Sequence, residues 1–451
     1  LWFPVLSDIL KTYLSTRTIF LLSIEIMIML FNSVVRSVVL HTPQLLTYLE
    51  VDGLVSHVIV GLSTYLTDTP MLLELTQLVY HISRVGQLSS SHDILTRDLH
   101  THVAGEKLIR VLQVHQHDDE EHTSSASRHR SNSLTDTQVQ AVQLCINCCE
   151  CLGSMCEQSD EMNILLGSKL GFCELATKLL GTSVAKCSGE NDKRLSDDSR
   201  GSYQTLLDVT SSTLAHLVTA EDNQQIALEN QGVHTFAALL LSHYKIESIA
   251  INCCRAITYL MSGSDEDGSS NTSTAIVPAS TTAPVSVSVA TDNKAACKGI
   301  ILALNFHIEV ESVVRNACWV ITHLATDPVN RRLVGRQGCG ELLLRVLNSH
   351  QQDLALLELV LGAMINLIDH DQVNSMALFN GQVVAQMAAL FETFACLQRD
   401  QHYVLCNLLC MVTINLTEAS NVSAENTVII TAIGKTSIMR SLLTILGKLS
   451  A

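Results

Sequence analysis

Aromatic residues make up only 4% of this 451-residue chain, and prolines number 6. Scarce rings and few helix breakers favour helices packed by small and aliphatic side chains. Positive charge is also short: 28 Lys and Arg stand against 44 Asp and Glu, a formal net charge of -16. The basic residues are dispersed, so the clustered neutralisation that nucleic acid or an anionic membrane surface demands is missing. Long apolar runs are lacking too. The best, residues 18–30 (TIFLLSIEIMIML), is interrupted by Glu25 and followed by Asn32, Ser33 and Arg36. It is too short to span a bilayer and reads as a buried core helix, so no membrane insertion is expected. No Gly-rich phosphate loop, Gly-X-Ser-X-Gly elbow or catalytic carboxylate pair occurs, and neither enzymatic activity nor a cofactor is expected. The chain opens in apolar sequence at Leu1 without a signal-peptide arrangement, and we expect it to be part of a longer polypeptide.

What the chain has in quantity is apolar side chains, 47% of the total, and 15 cysteines. Most cysteines lie inside apolar periodic runs, which points to reduced thiols used as small hydrophobes and hence to the cytosol or nucleus. Five of them crowd into residues 145–156, CINCCECLGSMC. On a helix, Cys145, Cys149, Leu152 and Cys156 share one face at i, i+4, i+7 and i+11, with Cys148 and Cys151 beside it. A tetrahedral metal site would need a second arm, and the sequence offers none in the right spacing, so a core wall is expected. The His- and acid-rich run at 115–122 has metal-binding residue types, but in a polar loop it implies weak adventitious binding only. Asn271, Asn415 and Asn421 head Asn-X-Ser/Thr triplets, and Asn415 falls inside a helical pattern.

The Asn-Cys-Cys of this stretch returns in AINCCRAITYLM at residues 250–261, and the echo marks a repeat. A Gly followed by a helical apolar pattern recurs at Gly53, Gly105, Gly171, Gly232, Gly338, Gly381 and Gly434, with Ala296 heading a degenerate copy. Ahead of most of them lies a second signature. Asn316 to Leu324 aligns without gaps on Asn252 to Leu260, Asn147 to Met155, Leu359 to Leu367 and Leu408 to Leu416. The Cys149 position is Cys254, Cys318, Leu361 and Cys410 in the other copies, as expected of close helix packing. The fullest unit is residues 313–347, VVRNACWVITHLATDPVNRRLVGRQGCGELLLRVL: a long helix, an Asp-Pro turn, a short helix with Asn330, a Gly, and a further helix.

This pattern resembles the armadillo repeat. A HEAT array is the nearest alternative, but the Gly at the head of the second helix and the short linking helix favour armadillo. The resemblance implies an all-α, right-handed superhelical solenoid of about eight three-helix units, each too small to bury its own apolar face without its neighbours. Third helices would line a concave groove.

Three polar stretches divide the chain: 1–114 holds divergent N-terminal units, 115–137 is an acidic and Ser-rich insert, and 138–261 holds further units with an insert at 181–202. Residues 262–293 form a low-complexity segment expected to be disordered, and 294–451 holds the C-terminal units. The first insert contains Arg128-X-Arg130-X-X-Ser133, a pattern similar to basophilic-kinase substrates, which marks Ser133 as a candidate phosphosite.

In the armadillo frame the groove position usually filled by Trp is Glu150, Arg255, Trp319, Gly362 and Met411. The position usually filled by Asn is Ser154, His216, Tyr259, His323, Asn366 and Asn415. Import receptors of the importin-α type carry a complete Trp/Asn ladder, and this chain keeps one Trp and two Asn of it. Arg315, Trp319 and His323, joined by Arg255, Tyr259, Asn366 and Asn415, are the expected partner-binding groove residues, since Trp, Tyr and Arg dominate binding hot spots. The function expected is a non-enzymatic scaffold or adaptor for a protein partner, bound as an extended peptide or helix. A regulatory armadillo region of a larger multidomain protein, such as an enzyme, is the alternative, with nuclear import third.

Overall fold

The structure, a computed structural model, describes residues 2–36, 54–87, 98–121, 136–157, 159–188, 197–262, 293–380, 383–395, 400–418, 425–438 and 440. Ser133, Asn271, Asn421, Gly53, Gly381 and most of segment 262–293 lie outside the described residues. Among the described residues every regular element is helical, and no strand occurs. No helix among them is long and apolar enough to cross a membrane.

The chain divides into two compact units, 1–235 and 236–451. Unit 1 contains α1 (Trp2–Thr12), α2 (Arg17–Arg36), α3 (Leu54–Thr64), α4 (Thr69–Gln87), α5 (Asp98–Glu121) and α6 (Asp136–Cys156). It continues with α7 (Asp160–Ile164), a π turn (Leu165–Lys169), α8 (Phe172–Lys186), α9 (Asp197–Leu217) and α10 (Glu221–Glu229). The boundary falls within α11 (Gly232–His243). Unit 2 contains α12 (Glu247–Ser262), α13 (Asn293–Phe306), α14 (Glu311–Leu324), α15 (Pro328–Arg336), α16 (Cys339–Ser349) and α17 (Leu354–Ile368). It ends with α18 (Gln372–Asn380), α19 (Val383–Ala395), α20 (Asp400–Glu418) and α21 (Glu425–Gly434).

Repetition is visible in burial. The nine residues 104–112, 172–180, 232–240, 296–304, 339–347 and 383–391 share one order. Positions one, two, five, six, eight and nine are buried in every copy, the third is always exposed, and the seventh is never buried. Two solvent-facing positions four residues apart leave most of the helix surface to the core, where each buried aliphatic side chain contributes roughly 1.5–3 kcal/mol. The predicted third helices α6, α9, α12, α14, α17 and α20, with α4 ahead of them, pack in series within each unit: α4 on α6 and α6 on α9 in unit 1; α12 on α14, α14 on α17 and α17 on α20 in unit 2.

Between these helices run the short ones, and each carries a buried Asn: Asn163 in α7, Asn223 in α10, Asn330 in α15 and Asn374 in α18. Asn374 Nδ2 donates to Leu367 O at 3.0 Å and Arg331 O at 3.2 Å, joining α18 to the end of α17 and to α15. Asn223 does the same in unit 1, reaching Leu217 O at 2.9 Å and Asn163 O at 3.1 Å. A glycine makes room for each: a Cβ on Gly335 would overlap the Asn374 amide, and one on Gly167 the Asn223 amide. Arg331, buried beside Asn330, donates from Nε to Ala325 O at 2.8 Å and from Nη2 to Asp369 Oδ2 at 3.2 Å. Asp327 caps α15 by accepting from Val329 N and Asn330 N, with Pro328 preset at the first helical position.

Three expectations are corrected. Residues 115–121 belong to α5 rather than to an insert, and α8 runs to Lys186 while α9 starts at Asp197, which narrows the 181–202 insert at both ends. The glycine register also shifts. Gly171 and Gly338 stand at φ 77° and 82°, immediately before position one of the nine-residue order. In the copy at 232–240 that place is Gln231, at φ 61°, so Gly232 is itself position one; Gly105 is position two, inside α5. Gly serves there because a left-handed backbone costs an L side chain about 1 kcal/mol, and Gln231 bears that strain.

Candidate functional site

The crowded cysteines resolve as core. Cys145, Cys148, Cys149, Cys151 and Cys156 are all buried on α6. Thr210 Oγ1 of α9 lies 3.8 Å from Cys149 Sγ, and Cys151 Sγ donates to Thr76 O of α4 at 3.3 Å. Burial pushes the Cys149 thiol up to about 12, and it does the same to Cys254 and Cys318 at the aligned positions. Among the described residues no group of three or more His, Cys, Asp or Glu side chains is placed to hold a metal ion.

The groove candidates all fall in unit 2, on α12, α14, α17 and α20, the four helices that pack in series. Arg255, Trp319 and Met411 are half-buried at one aligned position, where α17 supplies the buried Gly362. Tyr259, His323 and Asn415 are half-buried one turn further on, where α17 supplies the buried Asn366. The helical spacing i, i+4 thus brings each pair to the same face, and packing of successive helices sets the pairs side by side.

Contacts within the face are specific. The Trp319 and His323 rings lie against each other with centroids 3.6 Å apart, tilted at 36°. Arg315, a turn before Trp319, donates from Nη2 to Glu311 Oε1 at 2.6 Å and to Asp353 Oδ2 at 3.1 Å. Asp353 also caps α17 through Leu356 N, so Arg315 is tied to the start of the next helix. Asn366 Nδ2 donates to Thr322 O at 3.0 Å, and Asn415 Nδ2 to Ile365 O at 3.3 Å. Thr322 and Ile365 occupy the same aligned position, so the two amides make one repeated bond, each to the preceding helix of the series. Arg255 Nε is buried and has no hydrogen-bond partner among the described residues. Glu358, at the position aligned with Arg315, has its carboxyl raised above the ordinary range by burial.

One constellation escaped the sequence. His115, His307 and His350 each follow position nine of the nine-residue order by three residues. Their Nε2 atoms lie 3.2 Å from Leu66 O, 3.0 Å from Tyr244 O and 2.7 Å from Ile308 O. A carbonyl only accepts, so Nε2 carries the proton in each. Tyr65 holds the matching place after α3 and donates to Leu14 O at 2.5 Å. These side chains stitch the end of one helix to the turn of the unit before it. Aligning the chain on the nine-residue burial order, rather than on glycines, would have exposed them.

No protein-family model matches the chain, and no curated protein matches it. Solved structures similar to it include three crystal structures of engineered proteins from the Northeast Structural Genomics Consortium. One has 12% identity, covers 99% of both chains and gives a TM-score of 0.49. A second has 14% identity over 70% of this chain and 97% of that one, with a TM-score of 0.42. The third has 15% identity over 68% and 96%, with a TM-score of 0.43. The description of the fold therefore rests on the helix packing set out above.

Proposed function

We propose that this chain is an armadillo-type solenoid of about eight three-helix units and acts as a non-enzymatic scaffold. It holds an extended peptide or a partner helix on the third-helix face of unit 2. The observation that carries this reading is the half-buried row of Arg255, Trp319 and Met411, with Tyr259, His323 and Asn415 beside it, on helices packed in series. Rings and a guanidinium, presented together on a face whose flanking positions are core, are the composition of binding hot spots. The repeated burial order and the left-handed glycines before α8 and α16 support the armadillo form. A nuclear-import ladder fits less well. Asn366 is buried, and it and Asn415 already give an amide N–H to the neighbouring helix, where an import receptor would offer it to a peptide backbone.

Affinity capture with the chain as bait tests the reading, using Trp319→Ala and Arg255→Ala beside Lys298→Ala, an exposed residue on α13. Partners are expected to be lost from the first two baits and kept by the third, with helical circular dichroism unchanged in all. Retention of every partner by both face variants overturns the assignment.

A further inference from the structure

Among the described residues, the guanidinium groups of Arg255 and Arg315 lie on the third-helix face of unit 2, and they are in different states. Arg315 is neutralised by Glu311 on its own helix and by Asp353 at the cap of α17. Those carboxylates are thereby held by Arg315. Arg255 has no such partner among the described residues: its Nε is buried without an acceptor there, although the side chain as a whole reaches the surface. A cation partly withdrawn from water without a counter-charge is unfavourable, and a carboxylate brought against the exposed part of the side chain offsets that cost. Tyr259 stands one turn along α12 from Arg255, and Trp319 holds the aligned position on α14, which packs against α12.

We propose that the segment seated on this face is an extended peptide with a carboxylate side chain, Asp or Glu, received by Arg255, and an apolar or aromatic side chain lying against Trp319 and Tyr259. The inference rests on the scaffold reading above and names the chemistry of its partner. A guanidinium fork matches a carboxylate with two parallel N–H···O bonds, which a single backbone carbonyl does not supply. A basic peptide would bring like charge to Arg255, with the carboxylates Glu311 and Asp353 already engaged.

Fluorescein-labelled 14-residue peptides with Glu at every third position and Leu or Phe between, and their Gln and Lys counterparts, provide the probes. Binding to the full chain is read by fluorescence anisotropy. The Glu peptide is expected to bind about tenfold tighter than the Gln peptide, with the Lys peptide weakest. Arg255→Gln removes that preference, and Arg255→Glu turns it toward the Lys peptide. Arg255→Lys, which keeps the charge and loses the fork, weakens the Glu peptide several-fold and serves should the Gln variant fail to fold. Equal binding of Glu and Gln peptides, or a preference that survives Arg255→Gln, overturns the proposal. If the Gln peptide binds equally well and Trp319→Ala abolishes it, the face stands and the acidic partner falls. If no peptide binds, or all binding survives Trp319→Ala, both fall together.

Discussion

Replacing Gly335 by Ala sets two effects of opposite sign against each other. Helix propensity alone favours the change by up to about 1 kcal/mol, since Gly335 lies within the last turn of α15. Against this, the new Cβ would sit on the Asn374 amide, which bonds Leu367 O and Arg331 O. Displacing the amide forfeits two bonds worth about 1 kcal/mol each, while keeping it in place costs about as much in overpacking. The expected net is a loss of about 1–2 kcal/mol. The chain has two tryptophans, so in a Trp2→Phe background Trp319 alone reports on unit 2. Urea unfolding followed by Trp319 fluorescence then gives the shift in midpoint. A double-mutant cycle isolates the cause: in an Asn374→Ala background, Gly335→Ala should cost nothing or be favourable. A stabilised single variant, or strictly additive effects, would refute the claim that the small residue exists to admit the Asn.

Arg331→Met should lower stability by about 2–3 kcal/mol in the same unfolding assay, because it leaves Ala325 O and the half-buried Asp369 without their donor. Stability should also fall steeply in alkali. Folded thiols such as Cys149, Cys173, Cys254 and Cys318 are held up to about 12, above their unfolded value, so their contribution is complete below about pH 8.5 and is lost as pH rises toward 12. Each costs about 1.4 kcal/mol per pH unit within that window, and a flat unfolding midpoint between pH 8.5 and 10.5 would contradict it. Gln231→Gly, which relieves the left-handed strain at φ 61°, should raise the midpoint by an equivalent of about 0.5 kcal/mol, measured by thermal melting.

The face on unit 2 was legible because it is written in helical spacing. Arg255 with Tyr259, and Trp319 with His323, are i, i+4 pairs, and the aligned Asn-Cys-Cys and Asn-Ala-Cys mark where each helix turns toward its neighbour. Other features follow rules that no residue type advertises. The acidic run at 118–121 is disfavoured at a helix C-terminus by the helix dipole, so it reads as a loop, yet α5 carries it. Asp197 and Asp198, by contrast, are ordinary first-turn residues of α9 and could have been recognised as a helix start. Gln231 was missed because the left-handed position belongs to the backbone, and Gly merely adopts it most easily. The histidine bonds join residues 42 to 63 apart, and variable inserts hide that spacing. The buried Asn of the short helices was visible only at Asn330, since the roles of Asn223 and Asn374 depend on a glycine one unit away.

Hydroxyl-radical footprinting of a captured complex tests the central claim most directly, because Trp319, Tyr259 and Met411 are readily oxidised side chains half-buried on the proposed face. Binding should protect all three and leave Phe306, exposed at the end of α13, as reactive as before. Unchanged oxidation at the three, or protection confined to Phe306, would place the partner elsewhere.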